Sequence, residues 1–267
     1  MITIGKYFFP KTLEEAYGKL RERRNNAVIG GGAYLKLGSK AIGTAVDLSS
    51  LNLDYIDEKE EGYEIGAMTT FAAVMLHKDL NKDFNNLFQR SIEDIVGMQL
   101  KNMVTVGATV YSRYGFSDFL TALLATDTEV KLFKAGWVSL EEFLEKGPKE
   151  RDIVEKIWIK KEKGVYSFQD LRGSSSDYSI LNLALSKVDN HYQIALGARP
   201  GRATPAVETA AYLSGKKLSE KEMEQAGEIL AEELVFGTNG RGTKEYRRAM
   251  GKVLLKKALQ EVSAHEN

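Results

Sequence analysis

The chain has 267 residues, 43% of them hydrophobic, with 37 Lys plus Arg against 37 Asp plus Glu and no cysteine. That length buries a sizeable core in one large or two to three small domains. The balanced charge gives no global electrostatic reason to expect nucleic acid or an anionic membrane as partner, which leaves small molecules or proteins. Without cysteine the chain has no disulfide, thiolate catalysis, cysteine zinc site or iron–sulfur ligand, so any metal chemistry belongs to a partner. The first residues, Met1-Ile2-Thr3-Ile4-Gly5-Lys6, lack the basic and long apolar regions of a signal peptide, and no stretch approaches the length of a membrane span. A cytoplasmic location is the expectation.

Thr12-Leu13-Glu14-Glu15 has the form of a capping box, and Leu13, Ala16, Tyr17 and Leu20 recur at helical spacing, which predicts a first helix over 13–24. Apolar runs at 7–9, 27–29 and 45–48 read as strands and complete a β-α-β unit ending near Leu53. An acidic hairpin-like stretch, 57–62, leads to a strand at 63–67 and a helix over 70–77 with Phe71, Val74 and Met75 on one side. An amphipathic segment at 86–96, a β-prone run around 104–110, a Phe/Leu/Ala-rich helix at 117–125 and a strand at 129–133 follow. Ser139-Leu140-Glu141-Glu142 is a second capping box, and 153–160 alternates like a strand. From about Val165 the strands 166–168, 178–187 and 192–198 form an antiparallel meander, the last two joined through Asp189-Asn190. Three helices close the chain: Thr204-Pro205 as N-cap and N1 of one, Ser219-x-x-Glu222 capping the next, and Thr243 starting a third that runs to about Val262. The whole reads as α+β in three parts, 1–55, 56–162 and 163–267.

Two glycine-containing turns stand out: Val28-Ile29-Gly30-Gly31-Gly32-Ala33-Tyr34-Leu35 and Thr105-Val106-Gly107-Ala108-Thr109, each entered from a β-prone run. Residues without a bulky Cβ let backbone N–H groups point at an anion, so two such turns suit a pyrophosphate clasped from two sides, and hence a dinucleotide. A purely steric role as tight turns stays open for each. The contiguous Gly30-Gly31-Gly32 lacks the G-x-G-x-x-G register, and no phosphate loop of the G-x-x-x-x-G-K-S/T form occurs, so neither a Rossmann site nor nucleotide hydrolysis has support. His77, His191 and His265 stand apart from any catalytic or ligand pattern, so no catalytic residue and no metal ligand is assigned. The charged runs at 58–61, 141–150, 160–163 and 216–224 read as solvated faces. Asp118 opens the apolar helix. It is either a carboxylate favoured by the helix dipole or a hydrogen-bonding partner for a polyol or ribityl hydroxyl.

Taken together, these segments resemble a known family, the flavin-binding medium subunit of molybdenum hydroxylases such as xanthine dehydrogenase and carbon monoxide dehydrogenase. Gly30 to Leu35 resembles its A-G-G-T-D-L turn, and Leu100 to Thr109, followed by Ser117-Asp118, resembles its I-R-N-x-A-T-I-G-G-N and S/A-D. Asp152-Ile153 stands where the family has D-E-I, Asp177 stands in an R-x-x-x-D-like segment, and Glu245-Tyr246-Arg247-Arg248 resembles E-Y-R-R. The similarity runs from about Tyr7 to Leu259.

The resemblance implies an FAD-binding fold of two subdomains, of the PCMH (vanillyl-alcohol-oxidase-like) type, followed by a C-terminal antiparallel sheet with helices. It implies FAD, with both turns enclosing the pyrophosphate, Asp118 reaching the ribityl or ribose region, and Asp152 and Gln169 among the cofactor-side positions. It also implies a molybdenum-cofactor large subunit acting on a purine or another N-heterocycle. A small iron–sulfur subunit would then pass electrons through FAD to NAD or another acceptor, the flavin carrying the redox chemistry. The chain departs from the family at Ala33-Tyr34 in place of Thr-Asp, at Ala108-Thr109 in place of Gly-Asn, and at Gln169 where a Lys is common. FAD binding is expected to persist more weakly, and loss of the cation is expected to lower the flavin potential. The competing readings are a differently partnered FAD oxidoreductase of the same fold and an assembly or scaffold subunit that has lost the cofactor.

Overall fold

The short apolar runs at the start of the chain pair in parallel: β1 (Thr3–Phe8) and β2 (Ala27–Ile29) flank β3 (Ala41–Asp47). Parallel neighbours need crossover connections, and the helix Leu13–Glu22 supplies the one between β1 and β2. Thr12 accepts from the Glu15 amide at 3.2 Å while the Glu15 carboxylate takes the Lys11 amide at 2.8 Å, one residue earlier than in a reciprocal capping box. Ala16 and Leu20 on its inner face join Val46, Leu48, Leu53 and Ile153 in one apolar core. A second sheet, in the order β4-β5-β8-β6-β7, is built from β4 (Ile56–Lys59), β5 (Gly62–Gly66), β6 (Thr128–Leu132), β7 (Gly136–Ser139) and β8 (Val154–Lys160). The acidic hairpin is its β4–β5 turn.

The computed structural model describes residues 2–35, 38–175 and 177–265. These fall into two units, the first made of Met1–Val74, Gly97–Ser112 and Thr128–Ile159, the second of Met75–Val96, Arg113–Asp127 and Lys160–Asn267. The second is organised by a four-stranded antiparallel sheet, β9 (Gly164–Arg172), β10 (Ser179–Val188), β11 (His191–Gly197) and β12 (Thr204–Pro205), in the order β12-β11-β10-β9. Asp189 and Asn190 join β10 to β11 with φ of 46° and 62°, the pair of left-handed residues that a tight hairpin of this twist requires. Leu181, Leu183, Leu185, Ile194 and Leu196 face the helices Val207–Leu213, Glu220–Glu233 and Lys244–Ala264. On the other face, Asn182 of β10 bonds Asp118 and Thr121 of the helix Asp118–Leu124. Burial on both faces explains why β10 is an almost unbroken apolar run. At the open edge of β9, the Asn85 side chain takes the Tyr166 amide at 3.1 Å, which blocks a position where a foreign strand would pair.

Ser139, Ser219 and Thr243 start their helices as read, each accepting from the amide three residues on at 3.2 to 3.4 Å, and Ser117, read as the first residue of its helix, is its cap in the same way at 3.3 Å. Two expectations need correction. The β-prone run around Gly107 is instead the helix Val106–Ser112. The Val106 and Gly107 amides donate to Thr69 O and Ala67 O at 2.9 and 2.8 Å, so two donors that a helix start leaves unpaired are satisfied by neighbours distant in sequence, overriding local propensity, while the Ala108 amide is taken locally by Thr105 Oγ1 at 3.4 Å. Thr204-Pro205 does not cap a helix but pairs with β11 as an edge strand, a place that tolerates proline. The helix behind it starts at Val207, and Glu233 caps it from the next helix, accepting from the Glu208 and Thr209 amides at 2.8 and 3.0 Å.

Candidate cofactor site

The first turn leaves the end of β2, where Val28 and Ile29 pair with Val46 and Asp47. Gly31 and Gly32 follow at φ of 51° and 69°, and the Gly32 amide bonds back to Gly30 O. A side chain at Gly31 is excluded twice over. Its φ is left-handed, and a Cβ there would overlap the Met103 carbonyl oxygen and stand 2.7 Å from the carbonyl carbon. Gly30 is constrained by space alone, since its Cβ would lie 2.7 Å from Thr105 Oγ1 and 3.2 Å from the Ala108 methyl. The two turns, seventy-odd residues apart, thus meet inside the first unit. Among the described residues, the Gly31 and Ala33 amides have no protein acceptor, so this cradle can receive an anion. Ala33 is buried, while Tyr34 and Leu35 are half-buried beside it.

The second segment plays a different part from the first. Because the Val106, Gly107 and Thr109 amides are spent on carbonyls of Thr69, Ala67 and Thr105, they are not donors for a ligand. The Thr109 hydroxyl is also turned inward, onto Thr105 O at 2.9 Å. A Cβ on Gly107 would stand 2.5 Å from the Ala67 methyl, so this glycine serves close packing. What the segment presents to the first turn is Thr105 Oγ1, the Ala108 methyl and the Met103 carbonyl.

Asp152, also in the first unit, is buried. Its carboxylate accepts from the amides of Lys134 at 3.1 Å, Ala135 at 2.9 Å and Ile153 at 2.8 Å, fastening the β6–β7 turn. Asp118 lies in the second unit and is 5% exposed. One oxygen meets Arg172 at 2.5 Å, and the other accepts from Ser179 Oγ at 2.8 Å and from the Asn182 amide group. Burial pushes this carboxyl up from its usual range, against Arg172, Ser179 and Asn182, which pull it down. For Arg172, burial lowers the pKa, but the charges of Asp118 and Asp170 outweigh it and raise the guanidinium above its ordinary value. Gln169 belongs to the same unit but to the opposite face of the sheet. Its amide nitrogen donates to Glu261 at 2.6 Å and Ser167 Oγ at 3.2 Å, and Glu261 also holds Arg90 at 2.5 Å.

Arg172, Asp170, Ser179 and Asn182 stand in none of the motifs that mark the sequence. A signal existed: Asp170 and Arg172 share one face of β9, two residues apart, while Leu171 between them packs into the apolar core on the other. Arg247, noted only through its motif, is fully buried, with Nε on Ile180 O at 2.8 Å, Nη1 on Gly237 O at 2.9 Å and Nη2 on Asn239 Oδ1 at 2.6 Å.

Residues 3–159, the stretch that contains both turns, match the family described as the FAD binding domain in molybdopterin dehydrogenase. The chain belongs to that family. FAD is its cofactor, and the cradle of small residues with unspent amides fits such a group. Residues 166–262 match the CO dehydrogenase flavoprotein C-terminal domain. The chain is 26% identical to the glyceraldehyde dehydrogenase medium chain of Sulfolobus acidocaldarius, over 96% of this chain and 98% of that one. It is 23% identical to the nicotine 6-hydroxylase medium subunit of Paenarthrobacter nicotinovorans, over 97% of each. Its fold matches a carbon monoxide dehydrogenase structure from Hydrogenophaga pseudoflava with a TM-score of 0.89 at 20% identity, covering 97% of both chains. The resemblance to flavin-binding medium subunits of molybdenum hydroxylases therefore stands, as does the α+β fold it implied.

Proposed function

We propose that this chain is the electron-transfer subunit of a xanthine dehydrogenase-like complex. It takes electrons from a small iron–sulfur partner, receives them on FAD and delivers them to NAD or another acceptor, while a large subunit with the molybdenum cofactor oxidises the substrate, a purine or another N-heterocycle. The observation that carries this reading is the Gly30–Leu35 cradle with its unspent amides, inside a region of flavin-binding family sequence. FAD supplies the two-electron and one-electron chemistry, and the protein supplies position and field. In this reading the Gly31 and Ala33 amides hold the pyrophosphate, and Val28 and Ile29 set the exit angle of the turn. Tyr34 and Leu35 shield it, while Thr105 to Thr109 brace it from behind through Thr105 Oγ1 and the Ala108 methyl. Asp118, Asp152 and Gln169 then act through the protein groups they hold. Two relatives, a glyceraldehyde dehydrogenase medium chain and a nicotine 6-hydroxylase medium subunit, support the multi-subunit assignment. Among the described residues no helix is long and apolar enough to cross a membrane, and a cytoplasmic location is part of the proposal.

The test is the absorption spectrum of purified chain after FAD addition and desalting, with identification of what heat releases, followed by co-expression with candidate partner chains. Flavin bands, released FAD and a co-purifying iron–sulfur chain are expected. A chain that holds FAD yet is never reduced by an iron–sulfur partner would overturn the electron-transfer role.

A further inference from the structure

Asn239-Gly240 is the one Asn-Gly step in the chain, and it lies on an exposed turn of the second unit. The turn is tight: the Asn239 amide donates to Gly242 O at 3.1 Å and the Gly242 amide to Asn239 O at 3.2 Å. The Asn239 side chain folds back over it. Its Oδ1 accepts from the Arg241 amide at 2.9 Å, which closes a ring of atoms that includes the Gly240 nitrogen, and from Arg247 Nη2 at 2.6 Å. Both partners can only donate, which fixes the accepting atom as the carbonyl oxygen. The Gly240 amide itself has no protein acceptor among the described residues.

A carbonyl held by a guanidinium and a backbone N–H is polarised as in an oxyanion hole, since both donors stand where negative charge develops when a nucleophile adds to Cγ. The adjacent nucleophile is the Gly240 nitrogen, and glycine puts no side chain in its way. Arg247 gives the reaction a consequence. It is fully buried, yet its remaining partners are the carbonyl oxygens of Ile180, Gly237 and Gly242, and among the described residues no carboxylate pairs with it. Burial and the charge of Arg241 both lower its pKa. We propose that Asn239 is a self-modifying site that deamidates in the folded chain, the product carboxylate becoming the counter-ion of Arg247. The Gly240 nitrogen bonds to Cγ as its proton leaves to solvent base, the Cγ–Nδ2 bond breaks and ammonia departs. Water then opens the succinimide, at Cγ to give aspartate or at the main-chain carbonyl to give isoaspartate, whose main chain is longer by one carbon.

Peptide mass spectrometry of the full chain, kept folded in warm, mildly alkaline buffer, tests the inference. Conversion at Asn239 is expected to be at least as fast as in a free peptide of residues 236–245, while the exposed Asn52 and Asn190 stay intact. Gly240→Ala is expected to abolish it over the same interval. Its φ lies outside the left-handed region and a Cβ there meets nothing within 4 Å, so this variant folds. Because the cation is already buried, a carboxylate beside it adds attraction without desolvating Arg247 further, and Asn239→Asp is expected to raise the melting temperature by about 2–4 °C. An intact Asn239 in the folded chain, or conversion slower there than in the free peptide, would overturn the self-modifying site. An Asn239→Asp variant that melts no higher than the wild type would overturn the pairing with Arg247.

Discussion

Replacing Gly31 and Gly32 in turn by alanine separates strain from collision within one cradle. Both residues have left-handed φ, 51° and 69°, and an alanine there costs about 1–2 kcal/mol for the conformation alone. At Gly32 that is the whole cost, since the nearest atom to a new Cβ is Ile29 Cγ2 at an ordinary 3.9 Å. At Gly31 the new Cβ also overlaps the Met103 carbonyl and stands 2.7 Å from its carbon, so the backbone of the second segment has to move, at an overpacking cost of about 1–3 kcal/mol. The sum for Gly31→Ala is about 2–5 kcal/mol. Trp137 and Trp158 both belong to the first unit, so tryptophan fluorescence during urea unfolding reports this unit specifically. The expected order is wild type, then Gly32→Ala, then Gly31→Ala, and Gly31→Ala alone fails to retain FAD because the Met103–Thr105 wall is displaced. Equal midpoints for the two variants would refute the reasoning, since they would mean that Met103 does not press on Gly31.

Asp118→Leu leaves Arg172 with Asp170 and, at 3.8 Å, the half-exposed Asp94, and is expected to cost about 3–5 kcal/mol in unfolding followed by far-UV circular dichroism, with the Asp118→Leu/Arg172→Met double variant recovering part of it. Full additivity of the two single changes would contradict the pairing. Glu233→Ala strands the Glu208 and Thr209 amides at the start of the helix Val207–Leu213. A loss of about 1–2 kcal/mol is expected, with faster hydrogen exchange at those two amides, and unchanged exchange there would show that Glu233 is not the cap. The hydrogen bonds from Arg241 hold the Asp177 carboxyl below its usual range, so the pair's contribution is present above the unfolded carboxyl value of about 3.9 and fades as pH falls through the lower folded value. Thermal melts of wild type and Arg241→Gln are expected to differ slightly at neutral pH and to converge in acid; a gap that widens in acid would reverse the sign.

Much of the local structure is legible in the chain because its cause is local. Ser117, Ser139, Ser219 and Thr243 cap helices through their own side chains, and Asp189-Asn190 turns a hairpin through residues that tolerate positive φ. The three glycines mark a cradle for the same reason, since two of them hold a backbone conformation that side chains disfavour. Where the cause is distant, local reading fails. The segment around Gly107 is rich in β-formers, yet it is helical because the Thr69 and Ala67 carbonyls take the Val106 and Gly107 amides, and that same capture occupies these two donors.

The sequence by itself determined the elements, the family resemblance and the small-residue turn, because propensity, capping and backbone freedom act over a few residues. Only the tertiary structure decided which donors remain for a ligand, since an amide's partner is set by whatever carbonyl the fold brings to it. It alone set Gln169 and Asp118 on opposite faces of one sheet, through the pleat and through the register of β9 on β10. It also turned Asp118 from a carboxylate at a helix start into one half of a buried pair, because burial makes an ion cling to the nearest opposite charge that folding supplies.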